Sequence, residues 1–340
     1  MIANQVLSKE NKKTIAKFEN FGIRLFRNPN SYVDLCEKIS IEVRAGEILG
    51  IIGESGCGKS ITALALTGIL PEPGGVVGDG VIYFNNQSIF KMSPKQLQQL
   101  RGAEVGVIFQ EPGQALNPLL TIGKQLNELF EFHTEQAAKR NIVADQRIPT
   151  LLKRVGFADP NRVLNSYPHE LSGGMLQRVV IVMALLLKPP LIIADEPTTA
   201  LDVTVQAQIM QLLIELKQEE KCAIILITHN MGLIAQYADR LAVMYAGRIV
   251  EESPVQVFLS NPAHPYSKGL LAAIPNPEIA APLQSIPGQV LSPNDYDSGC
   301  RFRNRCAQAF EPCGQPVPQI SLTDNHIVHC WLFEKNGKPK

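Results

Sequence analysis

Residues 53–60 read GESGCGKS and match the pattern G-x-x-x-x-G-K-[ST]. The apolar residues 47–52 predict a buried strand before this segment, and residues 60–68 predict a helix after it. In that context glycines let backbone N–H groups turn inward around phosphate oxygens, and the helix N-terminus adds a positive dipole. Lys59 supplies a formal charge for the β- and γ-phosphates. The segment therefore predicts a nucleotide site. The alternative, a plain glycine-rich turn, would not need a strand before it and a helix after it.

The nucleotide-binding residues predicted from this segment share one loop and the first turn of its helix. They are Gly53, Glu54, Ser55, Gly56, Cys57, Gly58, Lys59, Ser60 and Ile61. The Ser60 hydroxyl is expected to ligate Mg²⁺. Cys57 is interpreted as a small loop residue, with a reactive thiol as the alternative, because a nearby positive field lowers a thiol pKa.

Further apolar runs predict the rest of the sheet. Residues 191–194 and 223–227 read as buried strands, residues 205–217 and 231–238 as helices, and residues 246–247 as the turn of a hairpin. Strands without alternation, separated by helices, are typical of a mostly parallel sheet covered on both faces. The sequence therefore predicts an α/β fold.

Two carboxylates follow the strand at residues 191–194. Asp195 is placed at the strand end, where such sheets open onto a nucleotide crevice, and is expected to hold Mg²⁺. Glu196 follows directly and is predicted to accept a proton from the attacking water. Alone, this pair is equally compatible with capping of a helix.

Residues 111–180 are polar with helical periodicity and predict a helical insertion. Within them Ser172, Gly173 and Gly174 open an apolar helical stretch, as at an anion-binding helix start. The simple alternative is a serine N-cap. A chain that already has one complete phosphate-binding loop needs a second phosphate-binding element only if the second one contacts a nucleotide held by another molecule.

Composition limits the class of protein. Of the 340 residues, 45% are hydrophobic and 19% charged, which excludes disorder and fibres. Thirty-two basic and thirty-two acidic side chains cancel, so no overall field attracts nucleic acid. The longest apolar run, residues 179–187, is shorter than the ~20 residues of a membrane span, and no secretory signal is seen at the start. We expect a cytoplasmic location.

These segments together resemble the ATPase subunits of ABC transporters over nearly the whole chain. Residues 171–177 are similar to the family signature, Gln110 to the Q-loop glutamine, residues 200–202 to the D-loop and His229 to the switch histidine. The resemblance implies a P-loop NTPase fold with a helical signature subdomain, and ATP with Mg²⁺ as cofactors. It assigns Asp202 to the nucleotide-binding residues.

In this family two ATPase subunits face head to tail. The resemblance implies that Ser172, Gly173 and Gly174 of one subunit close over the γ-phosphate bound by Lys59 of the other.

The resemblance also assigns chemical roles to single residues. Glu196 would be the general base, His229 would contact the γ-phosphate, and Gln110 would ligate the metal and link it to a membrane subunit. Taken alone, His229 is as compatible with a core or capping role, and Gln110 with a polar strand end. An aromatic residue that stacks on adenine is also implied, with Phe26 preferred over Tyr32.

Four segments resemble the oligopeptide and dipeptide permease group, namely residues 109–112, 116–118, 195–206 and 261–266. The resemblance implies a peripheral subunit at the cytoplasmic face of the plasma membrane. Its partners would be two integral permease subunits, a second and related ATPase subunit and, indirectly, an extracytoplasmic solute-binding protein. Importers of nickel chelates, glutathione or oligosaccharides share these motifs. A soluble, non-transport ABC ATPase is the alternative from another class, although the chain lacks a second cassette or coiled coil.

Prolines become frequent after residue 261, so we predict a nucleotide-binding domain at residues 1–262 and a small irregular extension at residues 263–340. The extension carries four cysteines, Cys300, Cys306, Cys313 and Cys330. Four thiols suit either zinc or a [4Fe-4S] cluster by count. The resemblance implies an iron–sulfur cluster, with zinc or unligated thiols as the alternatives.

Charged residues near these cysteines allow two interpretations. Arg301, Arg303 and Arg305 would offset the negative charge of a cluster, or else be exposed loop residues. His326 and His329 are interpreted as surface histidines, with zinc ligation as the alternative. At the other end of the chain, residues 1–20 are expected to form a solvated arm.

Overall fold

The computed structural model describes residues 13–28, 31–198, 201–273 and 285–334. The strands within these ranges are, in chain order, β1 (Thr14–Asn28), β2 (Ser31–Arg44), β3 (Ile48–Ile52), β4 (Gly75–Val77), β5 (Val81–Phe84), β6 (Gln87–Ser88), β7 (Val105–Ile108), β8 (Leu191–Asp195), β9 (Ala223–Ile227), β10 (Arg240–Tyr245), β11 (Arg248–Pro254), β12 (Gln319–Thr323) and β13 (His326–His329).

The α-helices of the described residues are α1 (Lys59–Ala65), α2 (Pro94–Leu100), α3 (Pro112–Ala115), α4 (Ile122–Phe132), α5 (Thr134–Lys139), α6 (Ala144–Arg154), α7 (Pro160–Asn165), α8 (Gly173–Leu185), α9 (Val203–Glu220), α10 (Met231–Tyr237), α11 (Val255–Ser260) and α12 (Pro265–Ala272). Short 3-10 helices lie at Ile89–Lys91, Pro168–Glu170, Pro293–Asp295, Arg303–Arg305, Glu311–Gly314 and Trp331–Phe333. In the part of the chain that the structure describes, no helix has the length and hydropathy to cross a bilayer.

The larger sheet has eight strands in the order β12-β13-β11-β10-β3-β9-β8-β7. Neighbours from β10 to β7 are parallel, and β11, β13 and β12 add antiparallel pairs at one edge. All residues of β3, β8 and β9 are buried, because α1, α2 and the antiparallel sheet pack on one face and helices that include α8, α9 and α10 pack on the other. The predicted α/β sheet and the hairpin at residues 246–247 are confirmed.

A second, antiparallel sheet packs on the larger one and was not predicted. It has the order β2-β1-β5-β6, with β4 paired to β1. The expectation of a solvated arm over residues 1–20 is wrong for residues 14–20, since they lie in β1 with Ile15, Ala16 and Phe18 buried. A register shift between Phe18 and Phe21 breaks the alternation that would have revealed this strand. Residues 1–12 lie outside the described residues.

The predicted helical insertion at residues 111–180 contains α3 to α7 and the first part of α8, and it lies between β7 and β8. The second half of α8 continues into the core, where Val179, Val180, Ile181 and Val182 are all buried. This helix therefore joins the insertion to the sheet.

The chain after residue 262 completes the larger sheet. The hairpin of β12 and β13 pairs with β11 through Glu251 opposite Val328 and Glu252 opposite Ile327. Residues 285–318 contain only short 3-10 helices, as the prolines predict. The boundary between residues 262 and 263 stays a prediction, although this pairing ties both sides into one sheet.

Candidate nucleotide site

The phosphate loop, residues 53–58, connects β3 to α1 and depends on glycine at two positions. A Cβ on Gly53 would lie 2.0 Å from the Met244 carbonyl oxygen, so a side chain there displaces β10. Gly58 has φ of 99° and directly precedes α1. A side chain is disfavoured in this left-handed region. The two glycines thus fix how closely the loop approaches β10 and how it enters the helix.

The loop borders a cavity of about 320 Å³. Most of the predicted site residues meet there. The lining consists of Gly53, Ser55, Gly56, Gly58, Lys59, Ser60, Ile61, Gln110, Asp195, Glu196, Ile227 and His229. Ile227 is the one that sequence analysis missed, and its place at the end of a predicted strand could have revealed it.

Lys59 lies over the phosphate loop. Its Nζ donates to the carbonyl oxygens of Gly53, at 2.9 Å, and Glu54, at 3.0 Å. Cys57 is buried, and burial raises the pKa of its thiol although Lys59 opposes the shift. This favours the interpretation of Cys57 as a small loop residue.

Asp195 ends β8 and is only 6% exposed. Burial raises the pKa of its carboxyl, and a hydrogen bond with Ser60 opposes that rise. Its Oδ1 has no hydrogen-bond partner within the described ranges. A buried carboxylate oxygen without a partner, next to a hydroxyl, fits a divalent cation with oxygen ligands.

Glu196 has a backbone φ of 48°, a region that non-glycine residues seldom occupy outside turns and functional sites. Its N–H donates to the Ile227 carbonyl at 2.9 Å. Its Oε1 lies 3.1 Å from the His229 backbone nitrogen and 2.8 Å from His229 Nδ1. The ends of β8 and β9 therefore hold these two polar side chains together at the cavity.

Gln110 follows β7, is exposed and lines the same cavity. A second glutamine, Gln177, was missed by sequence analysis. It is buried in α8, and its Nε2 donates to the carbonyls of Pro197, at 3.0 Å, and Phe109, at 3.5 Å. A glutamine inside an apolar helix is a signal that could have found it. Gln177 links the signature helix to the segments that carry Glu196 and Gln110.

The signature segment, residues 171–174, stands apart from the cavity. Ser172 and Gly173 are exposed, and Ser172 caps α8 by accepting a hydrogen bond from Met175 N at 3.4 Å. The described residues of this segment are not among those that line the cavity. Asp202 likewise caps α9, accepting from Val205 N at 2.9 Å. Ala200 lies outside the described residues.

The two candidate adenine partners lie opposite each other near the tip of the hairpin formed by β1 and β2. Phe26 is 41% exposed and Tyr32 52% exposed, with ring centroids 5.9 Å apart. Neither lines the cavity. Stacking of Phe26 on adenine stays a prediction.

The four clustered cysteines are neighbours. Cys300 N donates to Cys313 O at 2.8 Å, and burial and the other three thiols raise the pKa of Cys330 to about 12. Within the ranges that the structure describes, no three Cys, His, Asp or Glu side chains are arranged to hold a metal ion. All four are free cysteines in the described residues, and their ligation stays a prediction.

The charged residues around the cysteines are mostly buried. Arg301 bonds to Ala246 O and Glu37, and Arg305 bonds to Glu54, so the interpretation of exposed loop arginines is wrong for these two. Arg303 pairs with Asp297.

The interpretation of surface histidines also needs correction. His326 is buried, and its Nε2 lies 2.9 Å from Oε1 of the buried Glu251. His329 is half-buried, and burial lowers its pKa to about 4. Both histidines lie on β13. This strand pairs with β11 and is therefore part of the larger sheet, which removes its side chains from full exposure.

Known proteins are similar to this chain over most of its length. Residues 36–199 match the family model for ABC transporters, and residues 250–313 match that for the oligopeptide/dipeptide transporter C-terminal region. The dipeptide transport ATP-binding protein DppD of Haemophilus influenzae is 45% identical, with 89% of this chain and 91% of that protein covered. DppD of Bacillus subtilis is 42% identical, with 88% and 89% covered.

A solved structure shares the fold. The dimeric ATP-binding cassette MJ0796, in a post-hydrolysis state bound to ADP and phosphate, matches with a TM-score of 0.61 and 26% identity. The match covers 71% of this chain and 99% of that one. The chain belongs to the ABC transporter family, as an ATP-binding subunit that carries the oligopeptide/dipeptide transporter C-terminal region.

Proposed function

We propose that this chain hydrolyses ATP within a head-to-tail pair of ATPase subunits and thereby drives uptake of dipeptides or oligopeptides. The observation that carries the proposal is the separation of two phosphate-binding elements. Lys59 lies at the cavity, whereas the exposed helix start at Ser172 does not line it. Each chain then supplies half of each of two sites. The dimeric state of the MJ0796 structure supports the pairing.

The cavity residues suit hydrolysis of the terminal phosphate. Lys59 and the loop amides would bind the β- and γ-phosphates, and Ser60, Asp195 and Gln110 would hold Mg²⁺, which neutralises charge on the transferred phosphoryl group. Water attacks the γ-phosphorus as the bond to the β-phosphate oxygen breaks, which releases ADP and inorganic phosphate. Glu196 takes the proton of that water, and His229 keeps the carboxylate in place. The side chains that the cavity brings together support these roles.

We further propose that the partners in the membrane are two permease subunits, reached at the cytoplasmic face. An apolar groove of about 250 Å³ lies beside β7 and α8, and Phe109 lines it. The next residue, Gln110, lines the nucleotide cavity. A cytoplasmic segment of a permease subunit seated in this groove would therefore be one residue away from the site. The names of the DppD relatives support peptide as the cargo.

The cysteine cluster remains a candidate iron–sulfur site. Burial and then neighbouring thiols raise the pKa of Cys300, Cys306 and Cys330, and Cys300 N donates to Cys313 O at 2.8 Å, which supports a shared ligand. A bound cluster requires the thiolates and some adjustment of the arrangement seen with free thiols. Protein purified without oxygen is expected to contain iron and sulfide, and a zinc-only result excludes this part of the proposal.

The Glu196→Gln variant tests the proposed hydrolysis. The amide keeps the size of the side chain and accepts no proton, so turnover should fall by a factor on the order of 100 or more while ATP stays bound. Phosphate release and retained nucleotide are measured in the complex with the permease subunits. Asp145→Asn, on the first turn of α6, is the matched control and should hydrolyse normally. Unchanged hydrolysis in Glu196→Gln contradicts the assignment of the base.

A further inference from the structure

Two residues from the C-terminal part of the chain form hydrogen bonds with Glu54 of the phosphate loop. Glu54 donates its backbone N–H to the Tyr266 hydroxyl at 2.9 Å, and its Oε2 accepts from Arg305 Nη1 at 2.9 Å. Its carbonyl accepts from Lys59 Nζ at 3.0 Å. All three functional groups of Glu54 are therefore held, two of them by residues more than 200 positions further along the chain.

The two distant partners are themselves fixed. Tyr266 is fully buried in α12, with its ring centroid 4.6 Å from that of Tyr245 and 5.3 Å from that of Phe302. Burial raises the pKa of the Tyr266 hydroxyl, which therefore stays neutral. The Glu54 amide thus meets an acceptor that packing prevents from moving away.

Arg305 is held even more closely. Its side chain is 6% exposed. Its Nη1 lies 3.2 Å from the Tyr245 hydroxyl, its Nε donates to Pro287 O at 2.8 Å, and its Nη2 donates to Ile286 O at 3.3 Å. Because four groups share this guanidinium, its position is set by the C-terminal segment and not by Glu54 alone.

The charge of Glu54 explains why these contacts matter for nucleotide binding. A carboxylate within a loop that binds polyphosphate adds negative charge where negative charge must arrive. Arg305 neutralises that carboxylate and keeps it away from the cavity, which Glu54 does not line. The Tyr266 hydroxyl accepts the hydrogen bond of the Glu54 amide, which leaves phosphate binding to the other loop amides.

We propose that Arg305 and Tyr266 are positioning residues that act through Glu54 to shape the phosphate loop for ATP. The inference deepens the proposed function, on which it rests, and gives the C-terminal extension a direct part in nucleotide affinity. Arg305 immediately precedes Cys306 in the cysteine-rich segment. Arg305 therefore connects the phosphate loop directly to that segment.

Nucleotide affinity of the full-length chain tests this, with Mg²⁺ and the non-hydrolysable analogue AMP-PNP as the probe in calorimetry. Arg305→Met should weaken binding about tenfold, which corresponds to about 1.4 kcal/mol. Adding Glu54→Gln to it should restore binding to the level of Glu54→Gln alone, because no carboxylate is left to neutralise. Arg305→Lys should bind within about threefold of the wild type, since the charge is retained.

Controls separate positioning from folding. Arg303→Met removes a neighbouring arginine that pairs with Asp297 and should leave affinity unchanged. Tyr266→Phe keeps the ring and loses only the acceptor, so it should weaken binding about threefold, and it carries the test if Arg305→Met does not fold. In hydrolysis, KM should rise while kcat changes little, a separation that general unfolding does not produce.

The outcomes distinguish the inference from the proposed function. Lys59→Ala should lose AMP-PNP binding in any case. If it does, while Arg305→Met and Tyr266→Phe bind as the wild type does, the positioning role is overturned and the ATP site stands. Failure of Glu54→Gln to restore Arg305→Met also overturns it. A wild-type chain that binds no AMP-PNP overturns the proposed function and the inference together.

Discussion

Two glycine-containing segments of this chain open a helix, and they differ in what surrounds them. The phosphate loop at residues 53–58 borders a cavity with Lys59, Asp195, Glu196 and His229. The signature segment at residues 171–174 has an exposed serine and glycine at the start of α8. Its residues do not line the cavity that holds the lysine and the carboxylates. The first segment meets the proposed catalytic residues within its own chain, and the second does not line their cavity. This difference is what the proposed pairing predicts, in which the second segment closes on a nucleotide held by another subunit.

The largest expected effect is a separation of two properties. ATP binding should depend on the phosphate loop alone, and ATP hydrolysis should depend on the signature segment as well. Lys59→Ala should lose ATP binding in the isolated chain, because the cradle loses its charge. Ser172→Arg should bind ATP normally in the isolated chain yet reduce hydrolysis by the assembled transporter by a factor on the order of 100, since a bulky side chain blocks closure over the phosphate. Calorimetry and phosphate release measure the two properties.

A matched substitution guards this experiment against trivial loss of folding. Ser93→Arg changes another exposed serine, which caps α2 as Ser172 caps α8, and should alter neither property. Loss of ATP binding by the isolated Ser172→Arg chain would mean that the signature segment serves the cavity of its own subunit, contrary to the comparison.

Gln177 sharpens the comparison because it links the signature helix α8 to the segments that carry Glu196 and Gln110 at the cavity. In Gln177→Leu the carbonyls of Pro197 and Phe109 lose a buried donor, which should lower the free energy of unfolding by about 1–3 kcal/mol. Hydrolysis should fall more than ATP binding, because the signature helix loses its link to the strand ends. Urea denaturation measures the stability. Gln211→Leu, on the exposed face of α9, is the control, and equal stability of both variants contradicts the role.

The smallest effect concerns pH and the C-terminal side of the fold. His264 is 1% exposed, and burial lowers its pKa to about 4, with Glu251, His329 and Lys268 as its charged or titratable neighbours. The unfolded chain binds more protons between pH 6.5 and 4, so stability is complete above pH 6.5 and falls as the pH drops. At pH 5 this imidazole should account for a loss on the order of 2 kcal/mol.

His264→Asn isolates that contribution. Asparagine keeps the N-cap that His264 provides to α12 and does not titrate. Urea midpoints at pH 7 and pH 5 should differ less in the variant than in the wild type, although His329 shifts in the same direction and keeps part of the slope. An unchanged slope contradicts the neutral buried state of His264.

The sequence allowed prediction of what short motifs and apolar runs encode. Lys59, Asp195 and Glu196 meet at the cavity because the carboxyl ends of parallel strands share one edge of a sheet. Contacts distant in sequence were missed. The pairing of Arg305 with Glu54 joins residues 251 positions apart and leaves no local pattern. The antiparallel sheet escaped because its first strand contains register shifts, and His326 escaped because its burial depends on pairing of β13 with β11.

A cryo-EM structure of the transporter with ATP and the Glu196→Gln variant tests the shared site most directly. The account predicts that Ser172 Oγ of this chain lies about 3 Å from the terminal phosphate held by the other ATPase subunit. It also predicts that the phosphate at Lys59 is covered by the signature segment of that subunit. A terminal phosphate contacted by one ATPase chain alone, with Ser172 facing solvent, would contradict the account.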